Sequence, residues 1–347
     1  MAPRVNPGRI AAARTLLAVE RGVHAEEALE QHGPPEGKDR GLAWHLVFGV
    51  LRRQGQLDSL IVATAKRDLD KLDAEARIAL RLGLFEMHFA RTAGHAAVHQ
   101  AVELVGALGA GRAKGFVNAI LRRASSPRID NPLLNHPGWW VDRWRERCGE
   151  EALALWCERN DSEAPLAISM REEEQSHVDA FREAGCTVSP GIAGGRPLAR
   201  SYLLSGHKGR VTKLPGFAEG RWWVMDPSAV LAVDLLGASP GESVLDACAA
   251  PGGKSLRLAS SGVKVFAVDA SKARLSLLME NFKRMGLPVE TRVENWLSLS
   301  SAPKTFDHVL IDAPCTGLGT LRRHPEIRWR VLPTDPAAMA IRQLGIL

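Results

Sequence analysis

The sequence predicts a multidomain chain in which an all-α bundle is followed by a small α+β module and then by an α/β domain built on a parallel sheet. Three observations predict it. Apolar residues recur three and four apart from Ile10 to about Arg123, as in Leu80, Leu84 and Met87. That pattern stops where Pro127, Pro132 and Pro137 mark a linker. From Gly241 onward, short apolar runs alternate with helix-period segments, as parallel strands joined by crossover helices do. A chain of 347 residues also exceeds what one core usually organises. The expected boundaries are 1–128 for the bundle, 129–220 for the linker and small module, and 221–347 for the α/β domain.

The helical segments expected in the first part are Ile10 to Leu29, Leu42 to Leu51, Leu57 to Ala65, Ala74 to Phe89, His95 to Leu108, and Phe116 to Arg123. Asp39 and Asp73 sit where N-caps belong, and the breakers "HGPPEGK" and "LGAGRAKG" fall between segments. In the second part, "WWVDRWRERCGEEALALWCERN" reads as one or two amphipathic helices, and short apolar runs follow at Leu166 to Met170 and Tyr202 to Leu204. Trp139, Trp140, Trp144 and Trp156 have the chemistry to stack bases, but tryptophans at helical spacing are more often core.

Composition narrows the function classes. No apolar run approaches the roughly 20 residues that cross a bilayer, and Arg4, Arg9 and Arg14 precede no apolar signal core. A cytoplasmic protein without membrane contact is expected. The five cysteines, Cys148, Cys157, Cys186, Cys248 and Cys315, show neither paired metal-ligand spacing nor disulfide density, so no metal is expected. The net charge is +6, with most of the excess in the N-terminal third, a balance that suits a polyanionic partner or a solvated basic face.

Three strand ends converge in the last part. "SVLDA" ends at Asp246 and runs into "CAAPGGKS", a tight turn whose backbone amides would face a ligand at a helix start. "VKVFAVDA" ends at Asp269, 23 residues later, where a carboxylate can accept from ribose hydroxyls, the spacing of a nucleoside-binding unit. "FDHVLID" delivers Asp312, Pro314 and Cys315. Such sheets bind ligands beyond the carboxyl ends of their strands. A P-loop nucleotide hydrolase is the competing reading of "CAAPGGKS", but Cys248 stands where that loop needs its first glycine.

"DACAAPGGKS" followed by "DAPCTGLGTLRRHPEIRW" resembles the RsmB group of ribosomal RNA methyltransferases, also called Sun or Fmu, and "RAKGFVNAILRR" resembles the last helix of the NusB-like RNA-binding fold that this group carries at its N-terminus. The resemblance runs from about Arg9 to the last residue. It implies a NusB-like bundle, a Rossmann-like methyltransferase domain and methyl transfer from S-adenosylmethionine to C5 of a cytosine in 16S rRNA by a monomer. On this resemblance the cofactor would be lined by Ala249, Ala250, Pro251, Gly252, Gly253, Lys254 and Ser255, with Asp269 on the ribose. Asn295 stands where the family has Asp for the adenine amino group, which implies weaker cofactor binding. Asp312 would lie beside cofactor and base. Arg112, Lys114, Arg122 and Arg123 at one helix end, and Arg322, Arg323, His324, Arg328 and Trp329 near the catalytic edge, would grip RNA phosphates and stack a base. For either group a solvated helix end or a structured loop is the plainer alternative.

Methylating C5 requires a thiolate added at C6 of the same ring. Cys315 is the cysteine at that edge; by the resemblance it assists product release and the nucleophile is a second cysteine in a Thr-Cys-Ser segment expected beyond Leu347, while the Pro-Cys nucleophile of DNA cytosine methyltransferases leaves open that Cys315 acts alone. The expectation is therefore an incomplete methyltransferase domain, with "FDHVLID" left as an open sheet edge, that binds RNA and cofactor and turns over poorly.

Overall fold

Asn6 accepts the amides of Gly8 and Arg9, with Pro7 following, and these starting signals set the first helix, α1 (Pro7–Glu20). The structure, a computed structural model, describes residues 5–90, 92–124, 130–207, 209–298 and 305–347; Arg4 and Pro127 lie outside them. The chain divides into two compact units, one of Met1–Ala164 with Gly317–Pro333, the other of Pro165–Thr316 with Thr334–Leu347.

The first unit continues with α2 (Ala25–His32), α3 (Lys38–Ala65), α4 (Ala74–His88), α5 (Gly94–Ala107), α6 (Lys114–Arg123) and α7 (Gly138–Asn160), the last broken at Gly149. Two expectations about these helices change. Ile10 to Leu29 is two helices, because Gly22 and Val23 donate back to Val19 and Ala18 and close α1. Leu42 to Ala65 lies within one helix, α3, since Gly55 sits in its interior for a packing reason: a Cβ there would lie 1.7 Å from the Leu134 carbonyl oxygen. Asp73 occupies the N-cap position of α4 without a side-chain cap bond, whereas Asp39 lies inside the first turn of α3 and accepts from Asn6.

Leu16, Leu46, Ile61, Ile78 and Leu80 form the buried centre of this bundle, each contributing about 1.5–3 kcal/mol by leaving water. Trp140, Leu153 and Cys157 of α7 make a second apolar cluster, and the returning segment Gly317–Pro333 closes it with Leu318, Leu321 and Ile327. His136, Trp140 and Trp156 stack in series at 4.8 and 4.6 Å, so Trp140 is core.

The second unit holds two sheets. β1 (Leu166–Met170), α8 (Gln175–Glu183), β2 (Thr187–Ala193), β3 (Arg196–Ser205) and β4 (Trp222–Val224) form an antiparallel sheet in the order β2-β3-β1-β4 with its own core around Phe181 and Trp222. α9 (Pro227–Asp234) leads into β5 (Ser243–Asp246), α10 (Gly253–Ala259), β6 (Lys264–Asp269), α11 (Lys272–Met285), β7 (Glu290–Val293) and β8 (His308–Leu310), and α12 (Asp335–Ile346) follows the excursion into the first unit. The second sheet is parallel throughout, in the order β7-β6-β5-β8, so β5 is central and β8 pairs with β5 alone among the described residues. Val309 on that edge strand is 50% exposed.

The expected boundaries shift accordingly. Residues 129–164 belong with the helical unit through α7, and the small antiparallel sheet belongs with the parallel one, because α9 packs on β2 and β3. Gly317–Pro333, expected to lie with the α/β domain, folds with the helices.

Candidate active site

Continuous burial of Val244 and Leu245 on one strand and of Val265, Phe266 and Ala267 on the other fixes β5 and β6 side by side, and their carboxyl ends deliver Asp246 and Asp269 to one edge. After Asp246 the chain turns sharply through Ala247–Gly252, with a cis peptide before Pro251, into α10. Gly252 is obligatory there: its φ is +104°, and a Cβ would lie 2.9 Å from Leu278. Most of the turn's amides are used internally. Ala249 donates to Val268, Ala250 to Asp269 Oδ2, and Gly252 to Ala249, which differs from the expectation that Gly252 offers its N–H to a ligand.

A cavity of about 370 Å³ opens beside this turn, lined by Asp246, Cys248, Ala249, Ala250, Pro251, Gly253, Lys254 and Asp312, and on its other walls by Trp223, Met225, Asp226, Asn281 and Arg284. Trp223 is fixed by its indole N–H on the Gly253 carbonyl at 3.1 Å. Lys254 and Asp312 form an ion pair in which Asp312 is the more exposed partner. Asp246 is fully buried. Its Oδ2 accepts from Ser255 Oγ at 2.6 Å, while Oδ1 makes no hydrogen bond of good geometry, although the Cys248 amide also steadies the carboxylate. Burial pushes the Asp246 carboxyl up to about 6, with Asp312 adding to the rise against the Ser255 bond and the Lys254 charge.

Residues 6–126 match the NusB family, and residues 233–347 match the family described as 16S rRNA methyltransferase RsmB/F. Ribosomal RNA small subunit methyltransferase B of Pseudomonas putida is 32% identical over 99% of this chain and 81% of its own length. The protein of that name from Thermus thermophilus is 35% identical over 99% of this chain and 80% of its own. The chain belongs to the ribosomal RNA small subunit methyltransferase B family. It spans about four fifths of the relatives' length. The solved structure of PH0851, 22% identical with a TM-score of 0.79, shares the fold over 99% of this chain and 82% of that one. A NusB-like bundle followed by a methyltransferase domain is thus the architecture of this family member. No helix among the described residues is long and apolar enough to cross a membrane.

Of the expected cofactor residues, the cavity gathers Ala249, Ala250, Pro251, Gly253, Lys254 and Asp312. Gly252 shapes the turn and Ser255 holds Asp246, neither lining the cavity. Asp269 does not line it either. Its carboxylate is buried, takes the amides of Ala250 and Ser271, and has Arg274 at 3.5 Å. Asn295 is exposed, its Oδ1 accepting from the Leu297 amide, and its neighbour Trp296 ties the exit of β7 to the turn by donating to Ala247 O at 2.6 Å. Cys315 is exposed on the stretch leaving β8, while burial pushes the Cys248 thiol up to about 11.

The expected RNA contacts separate into two groups. Arg112, Lys114, Arg122 and Arg123 lie at or near the surface of the first unit, Arg112 beside Asp73 and Lys114 beside Glu103. Arg322 and Arg323 are partly buried there, and Arg322 donates to the Glu163 carbonyl. Arg328 is a correction. It is fully buried and gives its N–H groups to Asp161 Oδ1 at 2.8 Å and to the carbonyls of Asn135 and Asn160, so no phosphate can reach it. Among its neighbours, Trp329 is 37% exposed and Ile327 packs inward.

Sequence reasoning missed Asp246 as a site residue and missed Trp223, Asn281 and Arg284 altogether. The position of Asp246 at the end of an apolar strand was the available signal. The other three arrive from segments with no local motif.

Proposed function

We propose that this chain transfers a methyl group from S-adenosylmethionine to C5 of a cytosine in 16S ribosomal RNA, with Cys315 and Asp312 acting on the base. The observation that carries the reading is the strand-end cavity, where a buried Asp246 oxygen lacks a well-formed hydrogen bond beside the Lys254–Asp312 pair, three residues before Cys315. The cavity lies within the range of small-molecule sites, about 300–1,000 Å³, and a buried acceptor of this kind fits an ammonium donor such as the cofactor carries. Ala249 to Lys254 and Asp312 would hold the cofactor. When bound, S-adenosylmethionine supplies a methyl group on a positively charged sulfur. Asp269 is assigned the ribose as in the family's pattern, which requires its carboxylate to accept further hydrogen bonds beside those from Ala250 and Ser271.

The chain's own part in the reaction follows from the pyrimidine. A thiolate adds to C6 and raises electron density at C5; once C5 carries the methyl group, a base takes the C5 proton and the C6–sulfur bond breaks, returning the thiolate. The base must stand free of its stack. Cys315 is exposed at the strand ends, and Asp312 lies three residues before it with its charge steadied by Lys254. Arg112, Lys114, Arg122 and Arg123, with Arg322 and Arg323, are assigned to phosphate contacts, so binding should weaken steeply with salt.

One observation favours a second reading, a chain that binds RNA and cofactor but turns over slowly. Of the other cysteines, Cys148 and Cys157 belong to the helical unit, Cys186 is buried in the small sheet, and Cys248 is a half-buried thiol that burial keeps protonated. If Cys315 serves product release, neither Cys186 nor Cys248, the other cysteines of the sheet unit, offers an exposed thiol at that edge. Tritiated methyl incorporation into unmodified 16S rRNA decides. Label at cytosine C5, abolished by Cys315→Ser, supports the transferase; RNA binding without label supports the second reading. Calorimetry with S-adenosylmethionine and with ATP tests the cofactor, and tight ATP binding alone would replace both readings with a nucleotide hydrolase.

A further inference from the structure

Arg284 on α11 lines the same cavity as Asp246 and Lys254. Its guanidinium lies over the Phe217 ring, 4.1 Å from the centroid, and Nη1 donates to the carbonyls of Phe217 at 2.8 Å and Trp222 at 3.1 Å. The ring and the two carbonyls hold the group in one orientation. Its remaining contact is a long one, Nη2 to Asn281 Oδ1 at 3.5 Å, and Nε has no partner among the described residues. Unlike Lys254, Arg284 has no carboxylate beside it among the described residues. A guanidinium fixed through Nη1 presents Nε and Nη2 as a parallel pair of donors, the fork that takes a carboxylate bidentately.

We propose that Arg284 binds the α-carboxylate of the cofactor's amino-acid end, while Asp246 Oδ1 accepts from its α-ammonium. The cavity then holds a zwitterion, one buried acceptor and one prepared cationic fork on its walls. This rests on the cofactor assignment above and deepens it. It explains two features at once: a buried carboxylate oxygen without a good donor, and a half-buried guanidinium without a counter-ion. Asn281 helps from the side, since its Nδ2 donates to Pro251 O and its Oδ1 faces Arg284, linking the fork to the turn.

Calorimetry on the whole chain with three probes tests this: S-adenosylmethionine, its decarboxylated form, which keeps the ammonium, and 5′-methylthioadenosine, which lacks both charged groups. The unaltered chain should prefer S-adenosylmethionine over the decarboxylated form by at least about tenfold, the worth of a charge-assisted hydrogen bond. Arg284→Gln should erase that preference and leave affinity for 5′-methylthioadenosine unchanged, with Arg284→Lys in between. A clamp that merely braces the fold would weaken all three probes together, and that result overturns the proposal. So does an unaltered chain that binds the decarboxylated form equally well, a comparison that needs no variant. Binding of none of the three would sink the cofactor assignment itself along with the proposal.

Discussion

Two of the ion pairs in this molecule, Arg328–Asp161 and Lys254–Asp312, differ in what surrounds them. In the helical unit, Arg328 and Asp161 are both fully enclosed; the Asn135 and Asn160 carbonyls accept from Arg328 and the Asn135 amide donates to Asp161, while Arg328 Nε is left without a partner among the described residues. In the sheet unit, Lys254 and Asp312 meet at the mouth of a cavity, with more than half of the Asp312 side chain exposed. The enclosed pair exchanges its water for fixed partners and can serve only to hold the fold. The open pair keeps a face for a ligand. A run of basic residues therefore announces a charge, and only burial tells whether that charge recognises something or holds something.

The largest effect that would test the contrast is Arg328→Met, which leaves Asp161 charged and enclosed. Denaturant melting of the helical unit should show a loss of roughly 3–5 kcal/mol; a loss below 1 kcal/mol would erase the distinction. Next in size is Asp246→Asn. The folded chain keeps a proton on Asp246 up to about pH 6, whereas the unfolded chain releases it near 3.8, so this group's stabilisation is present below pH 3.8 and is lost as pH rises through 6. Replacing it should recover up to about 3 kcal/mol at neutral pH while weakening S-adenosylmethionine binding. Parallel melts at pH 4 and pH 8 measure the first effect and calorimetry the second.

His136 sharpens the comparison by running the other way. Burial, with the Arg328 charge adding to it, pushes the imidazole down to about 3; its Nδ1 faces the Pro132 carbonyl at 3.2 Å and its Nε2 the Asn160 amide at 3.4 Å, a setting for the neutral ring. The unfolded ring takes a proton near 6.5, so acid costs the helical unit stability from that pH downward. Burial also raises the neighbouring Asp161, against the pull of Arg328, and that acts in the opposite sense; a single variant isolates the histidine. His136→Gln should lose about 2 kcal/mol less than the parent between pH 6.5 and 4.5. The smallest effect belongs to the open pair. Lys254→Met should shift stability by less than about 1 kcal/mol, and an equal or larger cost than Arg328→Met would invert the picture.

Much of this was legible in the residues. Helix periods located α4, α5 and α6 within a residue or two at most ends, and the strand-turn-helix at Asp246 to Ser255 named most of one cavity wall. What escaped depended on distant partners. Gly55 reads as a helix breaker until the Leu134 backbone is seen against it. "RRHPEIRW" reads as an RNA grip because its acceptors, Asn135, Asn160 and Asp161, lie more than 160 residues away. Asp269 has the spacing of a ribose acceptor, yet its oxygens take amides of its own fold. Arg284 has no signature at all, since what distinguishes it is the ring beneath it and the carbonyls it already holds.

The excursion of Gly317–Pro333 also sets an order of events during synthesis. Leu318, Leu321 and Ile327 complete the cluster around Trp140, yet they emerge from the ribosome after both sheets have been made. The helical body thus begins before these sheets and is completed only after them, carrying an uncovered tryptophan surface while they are made. A fragment cut at Ala164 would keep that surface bare.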